Sequence, residues 1–169
     1  MEVKIFNKDK ISEESIKDKI IRVKAIIVNS KNEIMLGEAF GTIQFPGGHL
    51  EENETLNDGL RREMLEETGI SIKGIHEPFL AIKHFIKDKV GDNNRALEIY
   101  YFKIFTDEPF HMENVHLDDQ ETAGDFHLFY VPLKDVKKLL KNTINDNPRN
   151  ELITEEMLIA LKEWGKTNG

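Results

Sequence analysis

Apolar positions in this chain change their period several times, and each change marks an element. Ile20 to Val28 (IIRVKAIIV) is nearly continuous in β-branched residues and predicts a buried strand, ended by the turn-prone Asn29-Ser30-Lys31-Asn32. Glu33 to Glu38 predicts a second strand returning as a hairpin, and Thr42 to Phe45 a third that runs into Pro46-Gly47-Gly48. From Thr55 to Thr68 the period lengthens to that of a helix. At about 100° per residue, Leu56, Leu60 and Met64 share one apolar arc. Thr55 fits an N-cap with Asp58 three residues on, and Gly69 fits a helix stop. Phe79 to Ile86 and Ala96 to Phe105 predict two more strands, joined by the Asp-, Gly- and Asn-rich stretch from Lys87 to Asn94. Phe126 to Val131 predicts another strand, followed at once by a helix from Leu133 to Asn142. A last amphipathic helix, at about 150–164, carries Leu152, Met157, Leu158, Leu161 and Trp164.

Strands interspersed with helices predict a layered α/β (α+β) fold. At 169 residues the chain fits a single domain, 1–169, able to bury a core without staples. There is no cysteine, which removes disulfides, thiolate catalysis and cysteine-ligated zinc. No apolar run is long enough to span a bilayer, and charges interrupt the start where a signal peptide would be apolar. The expectation is a soluble, cytoplasmic protein with no membrane partner. A net charge of −8 argues against DNA binding. The same charge would repel a phosphorylated substrate unless cations reverse it locally. The six histidines form no His-Glu-x-x-His, and there is neither a P-loop nor a Gly-x-Gly-x-x-Gly run.

One segment carries most of the chemistry. Glu63, Glu66 and Glu67 crowd three carboxylates into little more than a helical turn, just before Gly69. Like charges at this spacing repel by roughly 0.2–0.5 kcal/mol per pair, and they sit at the negative end of the helix dipole. Taken alone they are either a solvated acidic face or a cation site. Hard oxygen donors without sulfur or imidazole suit magnesium, manganese or calcium better than zinc. Glu63 and Glu67 overlap one edge of the apolar arc and Glu66 continues around that side, so the acidic flank lies along a seam between core and solvent. Gly59, one turn before Glu63, removes a side chain either for a loop or phosphate to approach or for tight helix–strand packing.

The spacing around the cluster is Gly48, five residues, Glu54, seven residues, then Arg62-Glu63-Met64-Leu65-Glu66-Glu67-Thr68-Gly69-Ile70. It resembles the Nudix box at every fixed position, with Met64 and Ile70 in the aliphatic slots. The resemblance is specific over about residues 44 to 70. It implies an α/β/α sandwich around a mixed, partly barrel-like sheet. It also implies hydrolysis of a nucleoside diphosphate linked to another group, with Mg2+ or Mn2+ as cofactor. By that resemblance Glu63 and Glu67 are the principal metal ligands, Glu66 is a further ligand or base, and the Gly48 carbonyl joins the metal shell. Arg62 pairs with Glu54 through its guanidinium fork, fixing loop to helix. His49 occupies a variable position and is read as non-catalytic.

The family often places another catalytic glutamate outside the box. The candidates here are Glu121 and Asp125, nearest the strand that starts at Phe126, with Glu113, Asp118 and Asp119 in the same acidic segment and Glu98 on the preceding strand. His111 and His116 of that segment are expected to be solvated. Neither proline nor tyrosine, markers of ADP-ribose and dinucleoside polyphosphate specificity, occurs in Ile82 to Val90. A small-molecule nucleotide, ordinary or oxidised nucleoside triphosphate first, is the expected substrate by family frequency. Phe40, Phe45, Phe85, Tyr100 and Tyr101 are candidates for stacking on a base or for the core. Arg22, Lys24, Lys83 and Arg95 are candidates for phosphate or for ordinary surface charge. Two other readings are a non-catalytic nucleotide-sensing module, which commonly loses box glutamates, and an RNA 5′-end pyrophosphohydrolase, which needs a basic track. The last helix is open to three roles: cover for the sheet, wall of the substrate pocket, or contact in a homodimer.

Overall fold

The computed structural model describes residues 1–117, 125–143 and 148–166. Seven strands and three helices follow one another as β1 (Glu2–Phe6), β2 (Ile16–Val28), β3 (Glu33–Ala39), β4 (Thr42–Gln44), α1 (Leu56–Thr68), β5 (Leu80–Ile86), β6 (Asn94–Phe105), β7 (His127–Pro132), α2 (Leu133–Asn142) and α3 (Pro148–Lys166). Short 3-10 turns occupy Glu13–Ser15 and Met112–Asn114. The sheet is mixed and not closed, in the order β1-β5-β6-β2-β3-β4 with β7 on the other edge of β3.

Its spine is the parallel pair β2–β6, in continuous register from Asp18 opposite Arg95 to Val28 opposite Phe105. Along β2 the side chains alternate between two cores. Val23, Ala25 and Ile27 face α1, meeting Leu60, Met64, Phe102 and Ile104. Ile26 and Val28 face α2 and α3, meeting Val136, Leu140, Met157 and Leu161. Both faces of the sheet are covered, which is why the strand reads as an unbroken apolar run rather than an alternating one. The layers are therefore α/β/α. Pairing with β6 carries β2 back to Ile16, across the polar Lys17-Asp18-Lys19 that the apolar pattern leaves out. β1 (EVKIF) alternates charged and apolar residues over too short a stretch to stand out. It is a parallel edge strand on β5, and all but Lys4 of its five residues are exposed.

The expected hairpin of β2 and β3 is real but closes over one pair, Val28 opposite Ile34, with Asn29 N–H on Glu33 O at 3.0 Å. β3 then swings away and gives one edge to β4 and the other to β7. The backbone of β2 thereby released is taken up by the loop after β4. Ala25 N–H donates to Pro46 O, Val23 N–H to Gly48 O, and Leu50 N–H to Ile21 O, at 2.9–3.0 Å. Gly47 has φ +120°, and a Cβ there would sit 2.2 Å from the Val23 carbonyl, so the loop requires glycine at this point.

α1 starts at Thr55, whose hydroxyl accepts Asp58 N–H at 3.2 Å, and stops at Gly69, φ +70°, whose N–H reaches Leu65 O at 2.9 Å. Two carbonyls of the last turn, normally left without partners, are also satisfied. His111 N–H donates to Thr68 O and His116 N–H to Glu66 O, each at 2.8 Å. A Cβ on Gly59 would meet Leu50 Cδ1 at 2.3 Å. Its missing side chain therefore serves the approach of the loop. No helix among the described residues is long and apolar enough to cross a membrane.

Gly69→Ala places a Cβ in the left-handed region and is expected to destabilise the fold by about 1–2 kcal/mol. Urea denaturation reads this directly, and an unchanged midpoint would show that the cap is not needed.

Candidate active site

α1 and the docked loop bring the box residues into one cleft. Arg62 is the hub. Its Nε and one terminal nitrogen donate to the two oxygens of Glu54 at 2.8 and 2.9 Å. The other terminal nitrogen reaches Glu63 Oε1 at 3.0 Å and Glu66 Oε2 at 2.9 Å. A further bond, at 2.8 Å, goes to the His49 carbonyl, so the same guanidinium spans loop and helix. These carboxylates hold the Arg62 pKa above its ordinary value, Glu54 foremost. Arg62 in turn holds the Glu54 carboxyl below its own. Glu63 behaves differently: burial raises its pKa, against the pull of Arg62 and of Lys24.

Glu67 is nearly fully buried and accepts the Gly47 N–H at 2.5 Å. Gly48 lies against Glu63, whose carboxylate would be 2.5 Å from any Cβ built there. Lys24 of β2 reaches across to Gln44 Oε1 at 3.3 Å and to the Gly47 carbonyl. Glu63, Glu66, Glu67, Gly48 and Arg62 line a common cleft, walled on its far side by His116 and Leu117. His116, expected to be merely solvated, borders the site.

This donor set suits a hard divalent cation: three carboxylates, two of them buried, and a glycine whose bare Cα lets one of them close in. The Gly48 carbonyl already accepts Val23 N–H and retains its second lone pair. Among the described residues no three acidic or imidazole groups yet stand at cage spacing. Arg62 is wedged between Glu63 and Glu66, neutralising charge that a cation would otherwise neutralise.

The candidate bases outside the box are dispersed. Glu98 is buried on β6 between Lys83 (3.2 Å), Lys19 (3.5 Å) and the Tyr100 hydroxyl (2.7 Å), an internally compensated cluster. Glu113 is exposed and pairs with His111, and Asp125 is an exposed turn residue with φ +54°. None of these three lines the cleft, whereas Glu51, which sequence reasoning passed over, does. Asp118, Asp119 and Glu121 lie outside the described residues.

Beyond Gly48 the cleft continues as a groove. Its middle section has Arg22, Lys24, Gln44, Phe40 and Arg149 on its walls, and its inner end has Phe45, Tyr101, Ile99, Met157 and Glu156. Burial, then the nearby charge of Arg149, lowers the Arg22 pKa. Of the residues weighed for phosphate or stacking, Arg22, Lys24, Phe40, Phe45 and Tyr101 line this groove. Lys83 and Tyr100 are spent on Glu98, Arg95 pairs with Asp18, and Phe85 is buried elsewhere. Gln44, Arg149 and Glu156 were not singled out. Glu156 alone had a signal, a charge inside the apolar arc of the last helix.

The family model for the NUDIX domain matches residues 18–152. The chain belongs to the Nudix family. An RNA pyrophosphohydrolase of Pasteurella multocida is 31% identical over 67 residues, 38% of this chain and 33% of that protein, so the match spans about a third of that Nudix relative's length. An 8-oxo-dGTP diphosphatase of Buchnera aphidicola is 30% identical over 106 residues, covering 55% of this chain and 75% of that one. Among solved structures, a MutT Nudix hydrolase from Burkholderia pseudomallei superposes with a TM-score of 0.54 at 20% identity, covering 87% of this chain and 98% of the other. That likeness is one of fold. Nudix hydrolases generally need a divalent metal, in keeping with the oxygen-rich cleft.

Ionised Glu54 stabilises the fold above its ordinary pKa of 4.5, and this contribution is lost as pH falls through the lower value it has in the folded state. Glu54→Gln is therefore expected to lose roughly 1 kcal/mol at neutral pH, the pair being partly open to solvent, and to show a flatter acid limb. Urea melts at neutral and acid pH measure both. An equal loss at both would remove the Arg62 pairing as the cause.

Proposed function

We propose that this cleft and groove hydrolyse the diphosphate linkage of a nucleoside diphosphate joined to a further group, with a nucleoside triphosphate or related nucleotide as substrate. The observation that carries the reading is the convergence of Glu63, Glu66 and Glu67 on one cleft that opens directly into a cation- and aromatic-lined groove. Glu63 and Glu67, with the Gly48 carbonyl, hold a divalent cation, Mg2+ or Mn2+, and Glu66 is a further ligand or the base that takes a proton from the attacking water. Such a cation neutralises charge on the phosphate oxygens and lowers the pKa of bound water. The protein does the rest. Arg62, anchored by Glu54, keeps loop and helix in register, and Gly47 N–H keeps the Glu67 carboxylate turned inward. Arg22 and Lys24 offer positive charge to the anionic substrate along the groove, which offsets the acidic balance of the chain. Retention of all three box glutamates favours catalysis over a sensing module. Glu121 and Asp125 are the first candidates for a base from outside the box, with Asp118, Asp119, Glu113 and Glu98 behind them.

Release of phosphate and pyrophosphate from nucleoside triphosphates, ADP-ribose, nucleotide sugars and dinucleoside polyphosphates, with Mg2+ or Mn2+ and with chelator, tests the reading. Turnover of one class that disappears with chelator is expected. No turnover across the panel, in folded protein that binds metal, would move the chain to the sensing class. Glu67→Gln keeps an acceptor for Gly47 N–H and is expected to hold the thermal midpoint. Its metal-dependent turnover should fall sharply, because a neutral amide replaces a charged oxygen ligand of a hard cation. Unchanged turnover would displace Glu67 from the site.

A further inference from the structure

The end of the sheet remote from the cleft is open. β5 and β6 separate β1 from β2, and among the described residues no strand pairs with the outer side of β1. An exposed edge is a template for further pairing, and proteins commonly blunt it with proline, a bulge or an outward-facing charge. β1 has no proline, and its register on β5 runs unbroken from Glu2 opposite Leu80 to Phe6 opposite His84. Successive side chains of a strand alternate between faces. Glu2, Lys4 and Phe6 share the face turned to α3, where Lys4 lies 3.8 Å from Glu163. The other face carries an apolar stripe left in water: Val3 is 43% exposed, Ile5 56%, and Met1 just before the strand 66%.

We propose that this edge is a self-pairing surface, on which β1 of a second copy of the chain lies antiparallel about a two-fold axis through Val3. The two sheets then run on as one. Three features single out this occupant and this register.

The first is the phase of the backbone. Glu2 N–H donates into the sheet, to Phe79 O at 2.9 Å. Backbone groups of successive strand residues point to opposite edges, so those of Val3 and Ile5 point outward. Val3 facing Val3 is therefore a pair able to exchange both of its hydrogen bonds, and Met1 facing Ile5 continues the ladder. The second is charge. The same register sets Glu2 against Lys4 of the other copy on both sides of the axis, extending the Lys4–Glu2 bond of 2.8 Å that one chain already holds. Opposite charges across a strand pair stabilise it and like charges weaken it. An axis through Lys4 would bring the two lysines face to face. An axis between two residues would set apolar side chains against charged ones. The third is the apolar face, on which Met1, Val3 and Ile5 of each copy cover those of the other. The strand thus complements itself on both faces and along its edge at one register. A pairing of this length is small beside a standard interface, so the dimer is expected to be weak and concentration-dependent. The box cleft lies beyond β2, so both clefts stay open in it.

Sedimentation velocity of the full chain over a range of concentrations tests the proposal, and a reversible passage from monomer to dimer is expected. Glu2→Lys and Lys4→Glu each set like charges at both crossings and are expected to weaken association roughly 10-fold. The double exchange should bring it back to within a few-fold of the wild type, which damage to the strand would not do. Val3→Pro removes the outward N–H at the axis while leaving the bonds of Glu2 and Lys4 to β5. It is expected to be monomeric, with its thermal midpoint at dilution confirming the fold. A wild type that stays monomeric throughout would make Glu2 and Lys4 guards of the edge and overturn the proposal. A dimer indifferent to these substitutions, or one that the double exchange fails to restore, overturns it as well.

Discussion

The edge of β2 governs how this site is built. β3 pairs with it at Val28 and then departs, leaving a stretch of backbone between Ile21 and Ala25 that must find hydrogen bonds in a buried setting. The Pro46–Leu50 loop supplies them. The geometry of the candidate site follows from that substitution. The loop can lie flat on β2 only because Gly47 has no side chain to strike the Val23 carbonyl, and it can meet α1 only because Gly48 and Gly59 leave room for Glu63 and Leu50. Two glycines on one side and one on the other let a loop, a strand and a helix converge within hydrogen-bond reach.

Charge is organised around the same convergence. Four glutamates surround Arg62, and the helix bearing two of them, Glu63 and Glu66, ends with its negative pole at the cleft. Unopposed, that concentration would push α1 away from the loop. The guanidinium binds it instead, in two-point contact with Glu54 and single contacts with Glu63 and Glu66. The groove carries the opposite bias, with Arg22, Lys24 and Arg149 along its middle and a lone acid at its inner end.

Most of the fold and the box were legible from local pattern. β2 to β6, the capped α1 and both later helices follow apolar period and cap chemistry, with bounds that differ by a few residues. What escaped was set by tertiary context. β1 alternates glutamate and lysine with modest apolar residues and is a strand only because the edge of β5 receives it. Gly59 was open between two uses until Leu50 filled the space beside it. Of nine residues weighed for phosphate or stacking, five line the groove, because strand side chains alternate faces and the sequence does not say which face the site adopts. The last helix proved to do two jobs together, covering the sheet with Met157 and Leu161 and lining the groove with Glu156.

The β2–β6 pairing joins positions far apart in the chain: Ile20 lies opposite Leu97, a separation of 97 − 20 = 77 residues. All of β3, β4, α1 and β5 is held inside that closure. A parallel contact of this reach must offset the loss of chain freedom before it returns any stabilisation, and such contacts form slowly. α1 is local and can coil early, yet its apolar arc has Phe102 and Ile104 of β6 to bury against only once β6 has arrived. The box carboxylates on α1 therefore reach their final places only after the longest-range pairing of the sheet has formed.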